Sequence, residues 1–153
     1  MPVYIALGSN LGDTAFTIER AFVELQKLSD RHIQKSSLWR SKPVDCPPGS
    51  PDFINAVISL EPLEGETPES LLAKLQSVEV EFGRKQKDVL NEPRPLDLDI
   101  IAFGDEIRET IQLILPHPRW YQRRFVLEPL SEIAPDVFLP GQSQSVIQLL
   151  SQL

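Results

Sequence analysis

Apolar and polar positions alternate between two periods along this chain, and the switches between them outline its elements. Val3-Tyr4-Ile5-Ala6-Leu7 is a short apolar run closed by Gly8, which predicts a buried strand. Gly8 to Asp13 reads as a turn with Asp13 as N-cap. Ile18, Ala21, Phe22, Leu25 and Leu28 then recur at helical spacing, so a helix runs to about Leu28. His32 to Arg40 reads as a second strand, with His32 at the surface where it starts. Asp52 to Leu60 reads as a third strand. There Ile54, Ala56, Ile58 and Leu60 form one aliphatic face, and Phe53, Asn55, Val57 and Ser59 form the other. Thr67-Pro68-Glu69 has the composition of a helix start, and Leu71, Leu72, Leu75, Val78 and Phe82 supply its buried stripe before Gly83 stops it. Glu79 falls on the margin of that stripe, where a carboxylate needs a partner such as Arg84 or a ligand.

After Pro95 the chain returns to period two. Asp97, Asp99, Ile101 and Phe103 share one face, and Leu96, Leu98, Ile100 and Ala102 share the other. A strand apolar on both faces past Asp99 is expected in the middle of its sheet. Ile111–Leu115 predicts a short extended segment, Arg119–Arg124 a short helix, Phe125–Leu127 an extended stretch, Leu130–Ala134 a helical turn, and Ser143–Leu153 a C-terminal helix. The order β-α-β-β-α-β is that of the split βαβ, ferredoxin-like unit. It predicts an α+β fold with a mainly antiparallel sheet, the two long helices on one face, and an irregular C-terminal extension.

Composition adjusts this picture in three places. A length of 153 residues suits one domain over 1–153, and a net charge of −7 argues against a non-specific nucleic-acid binder. Yet eight of the fifteen Lys and Arg lie between Arg84 and Arg124, a basic zone suited to a compact anionic ligand or to a solvated surface. Cys46 is the only cysteine, so no disulfide framework exists, which fits a reducing cytosol. No secretory signal is visible, and no apolar run approaches a membrane-spanning length.

The candidate chemistry centres on Asp97-Leu98-Asp99. Carboxylates two apart on a strand stand about 6–7 Å from each other. At an effective dielectric near 20 they repel by about 2–3 kcal/mol. Either Mg²⁺ bridges them, as is usual beside a phosphorylated substrate, or basic side chains pair with them; a solvated strand end is the plainer alternative. A basic loop, Arg84 to Pro93, leads into Arg94 and this strand, which supplies cations for phosphate oxygens. Phe53 and Asn55 are face neighbours. They offer an aromatic plate and an amide to a flat heterocycle, or a second apolar layer with one polar edge. Pro43, Pro47, Pro48, Gly49 and Pro51 make a semi-rigid loop before them. Gly8 and Gly12 lack the Lys-Ser or Lys-Thr of a phosphate loop and read as turn glycines. His117, held between Pro116 and Pro118, is either a donor to phosphate or ribose or a structural histidine.

Four blocks bear a family resemblance: Ala6-Leu7-Gly8-Ser9-Asn10-Leu11-Gly12, Pro51-Asp52-Phe53-Ile54-Asn55-Ala56, Pro93-Arg94-Pro95-Leu96-Asp97-Leu98-Asp99-Ile100, and Pro116-His117-Pro118 with Arg123 and Phe125. In order and spacing they resemble the 6-hydroxymethyl-7,8-dihydropterin pyrophosphokinases of folate biosynthesis. The resemblance implies transfer of the terminal diphosphate of ATP to the pterin hydroxymethyl group, with release of AMP. It implies that Asp97 and Asp99 bind two Mg²⁺ ions. Arg84 and Arg94 would act on the transferring phosphates, and Glu79, Ile100, His117 and Arg123 would join them in the ATP site. Pro43, Phe53, Asn55 and Phe125 would bind the pterin, the two rings sandwiching it. Residues 84–93 would form a lid, and 43–51 a second loop over the pterin. A cytoplasmic monomer acting on two small molecules, with neither nucleic acid nor membrane as partner, is the expectation. The chain departs from the family's pattern at Lys42, Gln86, Asn91-Glu92, Gln112 and Ile114. A different Mg²⁺-dependent nucleotidyltransferase and a non-catalytic nucleotide- or pterin-binding regulator are the competing readings.

Overall fold

The computed structural model describes residues 1–43, 48–83 and 95–153. Its elements in chain order are β1 (Val3–Ser9), α1 (Thr14–Gln26), β2 (Gln34–Lys35), β3 (Trp39–Ser41), β4 (Phe53–Leu60), α2 (Pro68–Glu81), β5 (Asp97–Phe103), β6 (Arg108–Glu109), β7 (Ile114–Leu115), a 3₁₀ turn (Trp120–Gln122), α3 (Arg124–Ile133) and α4 (Val146–Ser151). The main sheet runs β2-β4-β1-β5, with β3 also paired to β4, and its ladders are antiparallel. Taking β2 and β3 as one interrupted strand, this is the ferredoxin-like α+β arrangement.

The helix starts follow their cap residues. Asp13 accepts a bond from the Phe16 N–H at 3.3 Å, opening α1. At α2, Thr67 and Ser70 cap each other's backbone and Pro68 occupies the first turn. Ile18, Ala21, Phe22 and Leu25 of α1 and Leu71, Leu75 and Val78 of α2 bury against one sheet face, meeting Val3, Ile5, Leu7, Ala56, Ile58 and Leu60. Each buried Val, Leu, Ile or Phe among them contributes about 1.5–3 kcal/mol on leaving water.

The other face carries a second core, where the C-terminal region corrects the expected irregular extension. Val126, Leu127 and Leu130 of α3 and Val146 and Leu149 of α4 pack on Tyr4, Val57, Ile101 and Ala102. Phe125–Leu127 is therefore helical rather than extended. Pro129 lies inside α3 and cannot donate to the Phe125 carbonyl, which makes the sequence look broken there. Burial of Val126, Leu127, Leu130 and Ala134 along one stripe outweighs that lost bond.

Five further expectations change. The strand expected over His32–Arg40 is split into β2 and β3, because the Ser36 hydroxyl takes the place of a backbone acceptor. Its Oγ accepts from the Val57 N–H at 2.9 Å, while the Ser36 N–H donates to the Val57 carbonyl at 2.9 Å. Only Ile114–Leu115 of the 111–115 segment is a strand, paired with β6, and the helix expected at 119–124 is the 3₁₀ turn. β5 lies at the end of the sheet order rather than in its middle. It reads as apolar on both faces because helices cover both, and its outer edge meets the His117 N–H, which donates to the Ile101 carbonyl at 2.9 Å. Finally, the β1–β5 register pairs Ile5 with Ile100 and Tyr4 with Ala102, leaving Ile101 as a bulge residue. The bulge inverts the alternation. Ile101 and Ala102 both enter the second core, and Phe103 crosses to the first, away from Asp97 and Asp99.

Candidate active site

A cleft of about 470 Å³ opens on the second face of the sheet. Its floor is the C-terminal half of β1 and the N-terminal halves of β4 and β5: Ala6 and Gly8, Phe53 and Asn55, Asp97 and Asp99. The register puts these together, since Gly8 pairs with Asn55 on one side and Asp97 on the other. Gly8 is thus a strand residue rather than part of the turn, which belongs to Gly12 at φ +78°. A Cβ on Gly8 would lie 3.4 Å from Phe53 Cδ1 and 3.6 Å from Asn55 Oδ1, so the missing side chain leaves room for both.

The opposite wall comes from the 3₁₀ turn and the start of α3. His117, Arg119, Arg123, Arg124 and Phe125 all line the cleft. The Arg123 guanidinium lies 5.5 Å from the centre of the Phe125 ring. Arg124 is partly engaged elsewhere, donating to the Leu153 carbonyl at 2.9 Å. One cleft therefore brings two phenyl rings together with two carboxylates and several arginines. That combination can take a planar heterocycle at one end and a metal-bound polyphosphate at the other.

His117 is held against both strand and turn. Its N–H binds β5, and its Nδ1 accepts from the Arg119 N–H at 3.2 Å. With Nδ1 accepting, the neutral ring carries its proton on Nε2 and presents a donor there. Burial first, then the positive charge of Arg123, push the imidazole below its usual pKa; Asp97 pulls the other way and Arg119 adds to the lowering. The folded protein therefore resists protonating His117. Well above pH 6.5 the ring is neutral folded or unfolded. Below that value the unfolded chain takes up a proton that the folded one refuses, so stability falls. His117→Asn should lose less thermal stability than the parent between pH 7 and pH 5. Equal losses in the two melting series would count against this burial.

Asn55 is oriented by β3. Its Nδ2 donates to Ser41 Oγ at 2.6 Å and to the Trp39 carbonyl at 3.4 Å. Ser41 and Lys42 also line the cleft; the sequence reading missed Ser41 and named Lys42 only as a departure from the family's pattern. Ser41 reaches the site through the β3–β4 pairing with Phe53, a contact the linear pattern does not contain. Trp120, whose side chain fills the second core, is a further missed lining residue.

Other expected residues fall elsewhere. Glu79 is buried and does not line this cleft; its Oε2 accepts from the Leu98 N–H at 2.9 Å, tying α2 to the peptide between the two aspartates. Ile100 points into the first core, and Pro43 is half-buried just outside the cleft. Arg84, Arg94 and the basic lid at 84–93 lie outside the described residues, as do residues 44–47 of the proline-rich loop. Among the described residues no cluster of three or more metal-ligating side chains occurs, and no helix is long and apolar enough to cross a membrane. The Asp97/Asp99 pair, two hard oxygen donors lining the cleft, suits Mg²⁺ completed by water and phosphate, not an all-protein cage.

Residues 4–135 match the family model for 7,8-dihydro-6-hydroxymethylpterin-pyrophosphokinase (HPPK). The chain belongs to this family. It is 41% identical over 150 residues to the 2-amino-4-hydroxy-6-hydroxymethyldihydropteridine pyrophosphokinase of Haemophilus influenzae, covering 97% of this chain and 91% of that protein. The enzyme of the same name from Synechocystis is 36% identical over 149 residues, 97% of this chain and 74% of the other. A Plasmodium falciparum structure described as HPPK-DHPS with pteroate superposes with a TM-score of 0.75 at 13% identity. That match takes in 99% of this chain but only 42% of the larger one, and it speaks to the fold. The chemistry is that of an HPPK, a pyrophosphokinase of folate biosynthesis.

Proposed function

We propose that Asp97 and Asp99 hold two Mg²⁺ ions against the triphosphate of ATP while Phe53, Asn55 and Phe125 hold the pterin. The observation that carries this is the sharing of one cleft by both carboxylates, both phenyl rings, His117 and Arg123. The bound metal would neutralise phosphate charge and lower the pKa of the attacking hydroxyl. Everything else is positioning. Phe53 and Phe125 fix the ring plane, and Asn55 Oδ1 reads its edge. Arg123 and the Nε2–H of His117 meet phosphate oxygens, with Arg84 and Arg94 completing the nucleotide side, while Glu79 braces the peptide between the two aspartates from beneath. The hydroxymethyl oxygen then attacks the β-phosphorus in line. The bond to that oxygen forms as the bond from the β-phosphorus to the α–β bridging oxygen breaks, AMP leaves, and the hydroxyl proton passes to water.

Residues 1–153 act in this reading as one unit and as a monomer. A cytoplasmic setting agrees with a lone cysteine, and the net charge of −7 is consistent with small-molecule rather than nucleic-acid partners. The test is to incubate the protein with ATP, Mg²⁺ and 6-hydroxymethyl-7,8-dihydropterin and to measure AMP. AMP should form only when both pterin and Mg²⁺ are present, and chelation with EDTA should stop it. Undiminished AMP release after chelation would remove the metal from the mechanism, and release of pyrophosphate instead would mark a nucleotidyltransferase.

A further inference from the structure

Glu132 stands near the end of α3, outside the residues that line the cleft. Its carboxylate nevertheless gathers donors from the β3 edge of the sheet. Ser37 Oγ donates to Oε1 at 2.7 Å and to Oε2 at 2.8 Å, and the Trp39 indole N–H donates to Oε1. Ser37 and Trp39 flank the start of β3, and α3 lies across β3 and β4. The same stretch of β3 carries the two acceptors of the Asn55 amide, the Trp39 carbonyl and Ser41 Oγ. A carbonyl can only accept, so the amide nitrogen must face it. With both of its protons used by β3, Asn55 has only Oδ1 left for a ligand.

Two walls of the cleft therefore meet at Glu132. Phe125, at the other end of α3, lines one side. Phe53 and Asn55, paired with Ser41 and Trp39, line the other. We propose that Glu132 is a positioning residue. It ties β3 to α3, which sets the spacing of the two phenyl rings and holds Asn55 as an acceptor toward the heterocycle. The specificity that follows is for a ring edge that donates N–H groups. This rests on the pterin reading above and deepens it. Because Glu132 reaches solvent, its effect is expected through geometry rather than through a large electrostatic energy.

The test uses Glu132→Ala and Glu132→Gln in the full chain. Pterin affinity is measured by calorimetry with saturating Mg²⁺ and a non-hydrolysable ATP analogue, and the analogue's own affinity is measured separately. Glu132→Ala should weaken pterin binding about tenfold, the loss expected from one good charge-assisted hydrogen bond, while the analogue's affinity stays within about twofold. Glu132→Gln keeps one acceptor oxygen and should recover much of the loss. In ¹⁵N–¹H spectra one of the two indole N–H signals should move upfield in Glu132→Ala. Adding Trp39→Phe to Glu132→Ala should cost little more, since the pair acts as one contact. A merely structural role would lower both affinities together, and that result, or an unchanged pterin affinity, would overturn the proposal. Failure of the unaltered protein to bind pterin at all would sink the ligand assignment, and the proposal with it.

Discussion

Asp97→Ala and Asp99→Ala should each lower kcat by at least about a thousandfold, roughly 4 kcal/mol of transition-state stabilisation, with little change in the thermal midpoint. Both residues sit at the open end of β5, half-buried and lining the cleft. The strand's anchoring comes from its other side chains. Leu98 and Ile100 fill the first core, Ile101 and Ala102 the second, and the β1 ladder runs as far as Asp97, taking in both aspartates. Alanine can occupy either position without disturbing those contacts. What it removes is an anionic oxygen facing the place where the triphosphate would lie. Asn at the same positions separates charge from shape. It keeps size and hydrogen bonding, so a loss as deep as that of alanine points to the negative charge. Kinetics at saturating substrate, circular dichroism and calorimetric titration with Mg²⁺ and an ATP analogue together make the test. A folded variant with near-normal turnover would rule out metal binding by the pair.

Much of this geometry was legible in the residue pattern, for physical reasons. β1 and β4 have one-sided or two-sided apolar periods, and caps such as Asp13 and Thr67 name their own helix starts because a side-chain oxygen must satisfy a free N–H there. The face shared by Asp97 and Asp99 follows from the pleat alone. The pattern fails where the structure uses long-range contacts to override local rules. β5 looks central because the α1/α2 layer and the α3/α4 layer both cover it, although its place is at the end of the sheet order. The Ile101 bulge reverses the faces beyond it, and nothing in the local run of Ile, Ile, Ala and Phe marks the extra residue. α3 was obscured by Pro129, whose lost bond is outweighed by burial.

The site divides in the same way. Residues whose chemistry is unusual for their position, such as carboxylates on an apolar strand or a histidine between prolines, announce themselves. Residues that act by holding others do not. Ser41 reaches Asn55 only through strand pairing, and Glu132 reaches Trp39 from 93 residues away. Glu79 was visible as an oddly placed carboxylate, but its partner, the Leu98 amide, is a backbone group that no side-chain pattern encodes.

Phe125→Ala should raise the dissociation constant for the pterin by about 10- to 100-fold, the range expected when one aromatic stacking partner worth about 1–3 kcal/mol is lost. ATP-analogue affinity should change by no more than about threefold. The asymmetry follows from where the ring lies. Phe125 is half-buried in the first turn of α3, facing the cleft, while Val126, Leu127 and Leu130 carry the helix's burial against the sheet. Removing the ring opens the cleft on one side of the heterocycle and leaves the helix anchored. The Arg123 guanidinium, 5.5 Å from the ring centre, loses a contact worth about 0.5–1 kcal/mol at such an exposed site. That sets the ceiling for any indirect effect on the phosphates. Phe125→Leu refines the result, since it keeps apolar bulk but no π face. If stacking is the main term, leucine should recover only part of the pterin affinity; if exclusion of water is, it should recover most of it. Equal weakening of pterin and ATP analogue by Phe125→Ala would mean that the ring supports the whole cleft, and the sandwich would have to be abandoned.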